Sequence, residues 1–203
     1  MTISWYNSSL YYNLDLRQHK RTVYNEMLMK VVLALAASID GKITKWDDIQ
    51  DPYKWTSKED KHFFGSLIKK SDVMIMGSGT YTAVKGNLNL NLSLLRIVLT
   101  RTPDKYKNDE KPGQLEFTDL SPKALLTKLE KVNAGQVLLA AGSKLTSEFM
   151  QQGLVDEFFL TIEPKIFGTG KSMFEDRVLD IGLKFVKIKK LNDAGTLLVH
   201  YKK

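Results

Sequence analysis

Two stretches of the chain hold residue types able to do chemistry. The first is Asp72-Val73-Met74-Ile75-Met76-Gly77-Ser78-Gly79-Thr80-Tyr81, a short apolar run that empties into glycines and hydroxyls. The run is too short for a helix and too apolar for a half-exposed strand, so it predicts a buried central strand of an α/β sheet. Ligands of such sheets bind beyond the carboxyl ends of the strands. There glycine lets the backbone approach an anion, and a following helix start offers free N–H groups. Gly77, Ser78, Gly79 and Thr80 therefore read either as a phosphate contact or as a tight strand-to-helix turn. The second stretch holds Trp55, Asp60 and Phe64. Asp60 and Phe64 are four apart and share one face of a helix, with Trp55 on the loop before it. Acids at positions 59 and 60 equally suit the first turn of a capped helix, where they meet the positive end of its dipole.

The elements that must position these residues follow from periodicity and punctuation. Residues 31–37 are an unbroken apolar run, predicting a strand covered on both faces, and Asp40-Gly41 turns the chain after it. Thr56-Ser57-Lys58-Glu59 is a capping-box pattern with Thr56 as cap. The helix it opens carries Phe63, Phe64, Leu67 and Ile68 and ends near Lys69-Lys70. Further strands are expected over 96–101, 115–118, 136–142 and 155–162. Ser121-Pro122 starts one helix, and Ser143 is expected to cap another that Gly153 stops. Residues 183–191 and 196–201 form a closing hairpin about Asn192-Asp193-Ala194-Gly195. Strands alternating with helices predict a mostly parallel sheet with an antiparallel edge. Residues 1–29 lack sustained periodicity and read as an extension outside the domain at 30–203, its aromatics free to dock on the domain or on a partner chain. Translation starting at Met27 or Met29 is the other account of it.

Composition narrows the function classes. The net charge of +7 lies in scattered lysines and a lysine-rich C-terminal stretch, with no dense or aromatic-interleaved run to argue nucleic acid. A basic balance also suits a phosphorylated ligand. The absence of cysteine excludes a disulfide framework, a thiolate nucleophile and a cysteine-bound metal. His19, His62 and His200 lack metal-ligand spacing, and Ser143 has no histidine and acid set around it. No apolar segment reaches the length of a membrane span, and no signal-peptide layout opens the chain, so the expectation is a cytoplasmic protein.

Taken in order, several pieces resemble the dihydrofolate reductase fold, and within it the reductase domain of riboflavin biosynthesis. They are Ser38-Ile39-Asp40-Gly41-Lys42-Ile43, the stretch from Asp72 through Tyr81, Ala141-Gly142 before a helix, Gly153-Leu154-Val155-Asp156-Glu157, and Pro164 followed by Gly168-Thr169-Gly170 and Phe174. The resemblance implies a three-layer α/β sandwich and an NADPH-dependent reductase of a ribosylamino-pyrimidine phosphate. Dihydrofolate or pterin reduction, and a non-catalytic nucleotide-binding or dimerisation module, are the alternatives. It implies that Gly77, Ser78, Gly79 and Thr80 hold the pyrophosphate region, with Ala141, Gly142, Ser143 and Lys144 as a second helix start and Asp40 and Ile43 as further cofactor contacts. Thr100 and Arg101 are placed for the adenosine 2′-phosphate. Asp60 becomes the catalytic acid, and Ala36, Ser38, Trp55, Phe64 and Thr161 the substrate pocket; Ser38 and Lys42 are candidates for the substrate phosphate. A homodimer follows from the same resemblance. Two positions depart from the pattern: Ala141 stands where glycine is usual, and Ser78 where folate reductases carry arginine. Leu94 likewise replaces the arginine that holds a folate tail.

Overall fold

Val31 and Leu33 face one side of the first strand and Val32 and Ala34 the other, and each pair enters a different core. Alternation of period two within an all-apolar run makes a strand that must be covered twice. The computed structural model describes residues 28–46, 54–90 and 93–203. The proposed extension, apart from Leu28 and Met29, lies outside them, as does most of the polar loop before Trp55.

The elements are β1 (Lys30–Ser38), α1 (Lys58–Lys70), β2 (Val73–Gly77), α2 (Ser78–Val84), β3 (Leu95–Leu99), β4 (Leu115–Thr118), α3 (Pro122–Lys131), β5 (Gln136–Leu139), α4 (Ser143–Gln151), β6 (Glu157–Glu163), β7 (Lys184–Lys190) and β8 (Leu197–Lys202). Among the described residues the strands form one eight-stranded sheet in the order β4-β3-β2-β5-β1-β6-β8-β7. Pairings from β4 to β6 are parallel, while β8 runs antiparallel to both β6 and β7. One core packs Val31, Leu33, Ile75, Ile97, Val137 and Leu139 against Leu125 and Leu129 of α3 and Phe149 of α4. The other packs Val32, Met74, Met76, Val98 and Leu138 against Leu67 of α1 and Tyr81 and Val84 of α2. These are the three layers of the expected sandwich. Each buried leucine or phenylalanine contributes about 1.5–3 kcal/mol.

Two expected caps are placed differently. Ser57, not Thr56, caps α1, its hydroxyl accepting the Asp60 N–H at 3.2 Å. The Thr56 hydroxyl instead donates to the Asp60 carboxyl group, and Glu59 accepts from Asn192 Nδ2 at 3.0 Å rather than closing a capping box. Ser143 is the first residue of α4 and Gly142 its cap; the Ser143 hydroxyl is drawn to the Ser172 carbonyl on a crossing loop. A distant donor, Asn192, takes the Glu59 carboxylate at the start of α1, and a distant acceptor, the Ser172 carbonyl, takes the Ser143 hydroxyl at the start of α4. His200 packs within the sheet, stacked on Phe159 at 4.1 Å, whereas His62 is exposed.

The turn after β1 and the loop after β6 pair at the carboxyl edge, through isolated bridges of Lys42 with Ser172 and Trp46 with Gly170. Asp40 fastens them. Its Oδ1 accepts the Ser38 hydroxyl at 2.6 Å and the Phe167 N–H at 3.1 Å, and its Oδ2 accepts the Gly168 N–H at 2.8 Å. The Ser38 hydroxyl and then the two N–H groups hold this carboxyl down to about 2, below its ordinary 3.8. A depressed carboxyl contributes stability above its unfolded value and loses it as pH falls through the folded one. The Phe167 and Gly168 amides should therefore stay protected from hydrogen exchange down to about pH 2. Asp40→Ala should expose them at neutral pH with the sheet amides unchanged; unaltered exchange at both amides would show that the brace carries no load.

Candidate functional site

Beyond the carboxyl ends of the strands lies a cleft of about 1090 Å³. Its position follows from topology. The chain leaves β1 through α1 on one face and leaves the adjacent β5 through α4 on the other, so the two exits part and open a crevice between them. β5 ends at Leu139, while β1 continues to Ser38 in register with β6, Ala36 opposite Thr161. This deepens the opening on the β5 side.

Two helix starts face the cleft. Gly77 caps α2 and Gly142 caps α4, both in extended conformation and without a side-chain capping bond. Their N–H groups remain available to an anion in the cleft. The two starts are close together, since a β-carbon on Gly77 would lie 3.9 Å from Leu145 Cδ2 and one on Gly142 would lie 3.9 Å from Thr80 Oγ1. Gly79 has open space about it. Ser78, Thr80, Ser143 and Lys144 line the same wall, as do Thr100 and Arg101 beyond the end of β3. Arg101 is exposed at the rim. Ala141 lines the cleft while belonging to the α3 and α4 core, and its carbonyl accepts the Thr146 hydroxyl at 3.2 Å.

The substrate side is built by β1, α1 and β6. Asp60 is 9% exposed and sits among Ala36, Phe64 and Thr161 on the cleft wall. Burial pushes its carboxyl group up from the ordinary aspartate value and the nearby Glu163 adds to the shift, while the Thr161 and Thr56 hydroxyls oppose them. A carboxyl of this kind retains a proton further toward neutrality than an exposed aspartate does. It is the group in the cleft suited to giving a proton to a bound base. The segment carrying it is held from the end of β6, where Glu163 accepts the Ser57 N–H at 2.6 Å and Lys165 donates to the Trp55 carbonyl.

Of the residues singled out in the sequence, Ala36, Ile43, Asp60, Phe64, Gly77, Ser78, Gly79, Thr80, Thr100, Arg101, Ala141, Gly142, Ser143, Lys144 and Thr161 come together on this one cleft. Ser38, Asp40 and Trp55 do not line it. The Ser38 hydroxyl is committed to Asp40 and to the Lys42 N–H, and Lys42 Nζ donates to Ser172 Oγ at 3.1 Å. Trp55 is buried with its ring edge-on to Phe167 at 5.2 Å, and its Nε1 has no hydrogen-bond partner among the described residues. Sequence reasoning missed Thr56, read only as a cap, and Arg96, whose charge inside an apolar strand was the available signal. Arg96 is 3% exposed on the cleft wall and donates to the carbonyls of Leu94 at 3.0 Å and Asn89 at 2.5 Å.

Comparison with known proteins agrees with this architecture. The sequence pattern of the RibD C-terminal domain matches residues 29–197. Among curated relatives, YwjB of Bacillus subtilis strain 168, an uncharacterized protein, is 27% identical over 177 residues, which is 86% of this chain and 98% of that protein. Among solved structures, the diaminohydroxyphosphoribosylaminopyrimidine deaminase/5-amino-6-(5-phosphoribosylamino)uracil reductase of Thermotoga maritima superposes with a TM-score of 0.68 at 23% identity. That alignment covers 85% of this chain but only 56% of the bifunctional one. Dihydrofolate reductase from Enterococcus faecalis, solved with NADP(H), superposes at 0.59 with 17% identity over 85% of this chain and 95% of its own. The chain thus has the dihydrofolate reductase-like fold and belongs to the RibD C-terminal domain family.

Proposed function

We propose that the chain is an NADPH-dependent reductase of a ribosylamino-pyrimidine phosphate, of the 5-amino-6-(5-phosphoribosylamino)uracil reductase type. The observation that carries the reading is the buried Asp60 carboxyl group, biased toward its protonated form, in the same cleft as two helix starts that lack a side-chain capping bond. The family and the named activity of the Thermotoga protein supply the substrate class.

The residues present fit a dinucleotide phosphate. Free N–H groups after Gly77 and Gly142, the Thr80 hydroxyl and the uncrowded Gly79 suit the pyrophosphate. Thr100 and the Arg101 guanidinium, whose fork matches a phosphate, suit the 2′-phosphate. When bound, the nicotinamide supplies the hydride. Phe64 gives a face for a flat ring, and Ala36 leaves room beside it on β1. Asp60 holds one edge of an amino-pyrimidine and delivers a proton to it, while Thr161 and Thr56 fix the orientation of the carboxyl group. A pterin substrate is the second reading, because an acid paired with a threonine suits any amino-pyrimidine edge; Leu94, a hydrophobic residue 2% exposed, offers no charge to a folate tail.

Thermal unfolding with each cofactor tests the site first. NADPH should raise the Tm more than NADH does, and no shift with either would leave the non-catalytic binding module as the better description. Arg101→Ala should narrow that preference for NADPH, and an unchanged preference removes its assigned role. Asp60→Asn should lower kcat by about 10²-fold or more with little change in cofactor affinity. Turnover of the pyrimidine phosphate against that of dihydrofolate, measured on the unaltered chain, then decides between the two substrates.

A further inference from the structure

Glu163 and Asp60 address the same end of one helix. Glu163 closes β6, is 2% exposed, and accepts the Ser57 N–H at 2.6 Å and the Thr196 hydroxyl at 2.9 Å. Ser57 is the cap of α1, and its hydroxyl in turn accepts the Asp60 N–H. Two residues past Glu163, Lys165 holds the Trp55 carbonyl, so the end of β6 grips the chain on both sides of Thr56. The turn between β7 and β8 joins the same network, as Asn192 donates to both Glu59 and Thr196. Nothing in the Thr-Ile-Glu-Pro run at 161–164 announces that Glu163 turns inward.

The partners of Glu163 are N–H and O–H donors rather than cations, so its charge is stabilised without being neutralised. Asp60, in the first turn, is left with the Thr161 and Thr56 hydroxyls. Hydroxyl donors favour a carboxylate; burial tips Asp60 the other way, and the negative charge of Glu163 adds to that effect. The charged and polar groups about Asp60 are Glu59 and Lys61 on α1, Thr56 before it, Thr161 and Glu163 on β6, Lys165 beyond β6, and Asn192 and Thr196 on the hairpin. Lys61 opposes the effect, and Glu59 is engaged by Asn192.

We propose that Glu163 is a positioning residue, anchoring the start of α1 and, through its negative charge, reinforcing the burial that favours the protonated, proton-donating form of Asp60. This rests on the reading of Asp60 as proton donor. The test is carboxyl carbon-13 NMR titration of the full chain, as wild type, Glu163→Gln and Glu163→Asp, with pH profiles of turnover measured on each. In the wild type, Glu163 should remain ionised throughout the range in which Asp60 titrates. The Glu163→Gln amide oxygen still accepts the Ser57 N–H, so α1 keeps its anchor while the Asp60 midpoint falls toward the ordinary aspartate range. The pH limb of turnover that reports Asp60 should fall with it, and Glu163→Asp, which keeps the charge, should restore both. An unmoved Asp60 midpoint in Glu163→Gln overturns the proposal. So does a Glu163 that is protonated while Asp60 titrates, a result readable in the wild type even if a variant does not fold. A midpoint that falls with no change in turnover upholds the coupling and removes Asp60 from the chemistry, which separates the two failures.

Discussion

Parallel pairing is the constraint from which the site follows. Six strands running the same way cannot be joined by tight hairpins, so each connection must cross a face of the sheet, and both faces are covered by helices that the chain needs anyway. What crossovers leave open is the carboxyl edge where they begin. Because β1 and β5 are adjacent but depart to opposite faces, the edge splits between them, and the helices that follow β2 and β5, themselves neighbours, bring Gly77 and Gly142 to one wall. The cleft is therefore a product of strand order, with side chains selecting what it holds.

Apolar packing fixes which face a residue occupies but tolerates sliding and tilting of whole elements; buried or bridging carboxylates remove that freedom. Asp156 Oδ2 accepts the Val31 N–H at 2.7 Å, and Asp72 Oδ2 accepts the N–H groups of Gly135 at 2.8 Å and Gln136 at 3.2 Å, tying strand starts at the amino edge. At the carboxyl edge Asp40 and Glu163 do the same for loops and for α1. A buried N–H left without such a partner costs about 1–3 kcal/mol. The same side chain serves opposite purposes according to its donors. Asp40, exposed and bonded by a hydroxyl and two amides, is held ionised, whereas Asp60, buried with two hydroxyls and a second acid beside it, is pushed toward the neutral form.

What the sequence disclosed and what it hid divide along range. The strands at 31–37 and 73–76, the glycines after them and the shared face of Asp60 and Phe64 are local patterns, readable because a period of two or four needs only nearby residues. Ser57 as cap, the retention of Ser143 by Ser172 and the inward turn of Glu163 depend on partners far along the chain, 106 residues away for Glu163 and Ser57. No local window contains them. Arg96 is intermediate: its position in an apolar strand was visible, but the carbonyls of Leu94 and Asn89 that absorb its donors are fixed by the loop before β3.

Charge shows the same division between composition and place. A net charge of +7 is compatible with a phosphorylated ligand, yet the Lys184, Lys187, Lys189 and Lys190 cluster lies on β7, the strand at the sheet edge, exposed along its whole length. Among the described residues β7 has no strand on its outer side, and lysines along such an edge disfavour edge-to-edge pairing, while Phe185, Val186 and Ile188 stand exposed beside them. The cations that meet the cleft are instead Arg96, Arg101, Lys144 and Lys171, two of them within a few residues of a strand end or helix start. The phosphate argument thus belongs to these four residues and the helix starts beside them, because only charge within a few ångströms of a partly enclosed cleft escapes screening by salt.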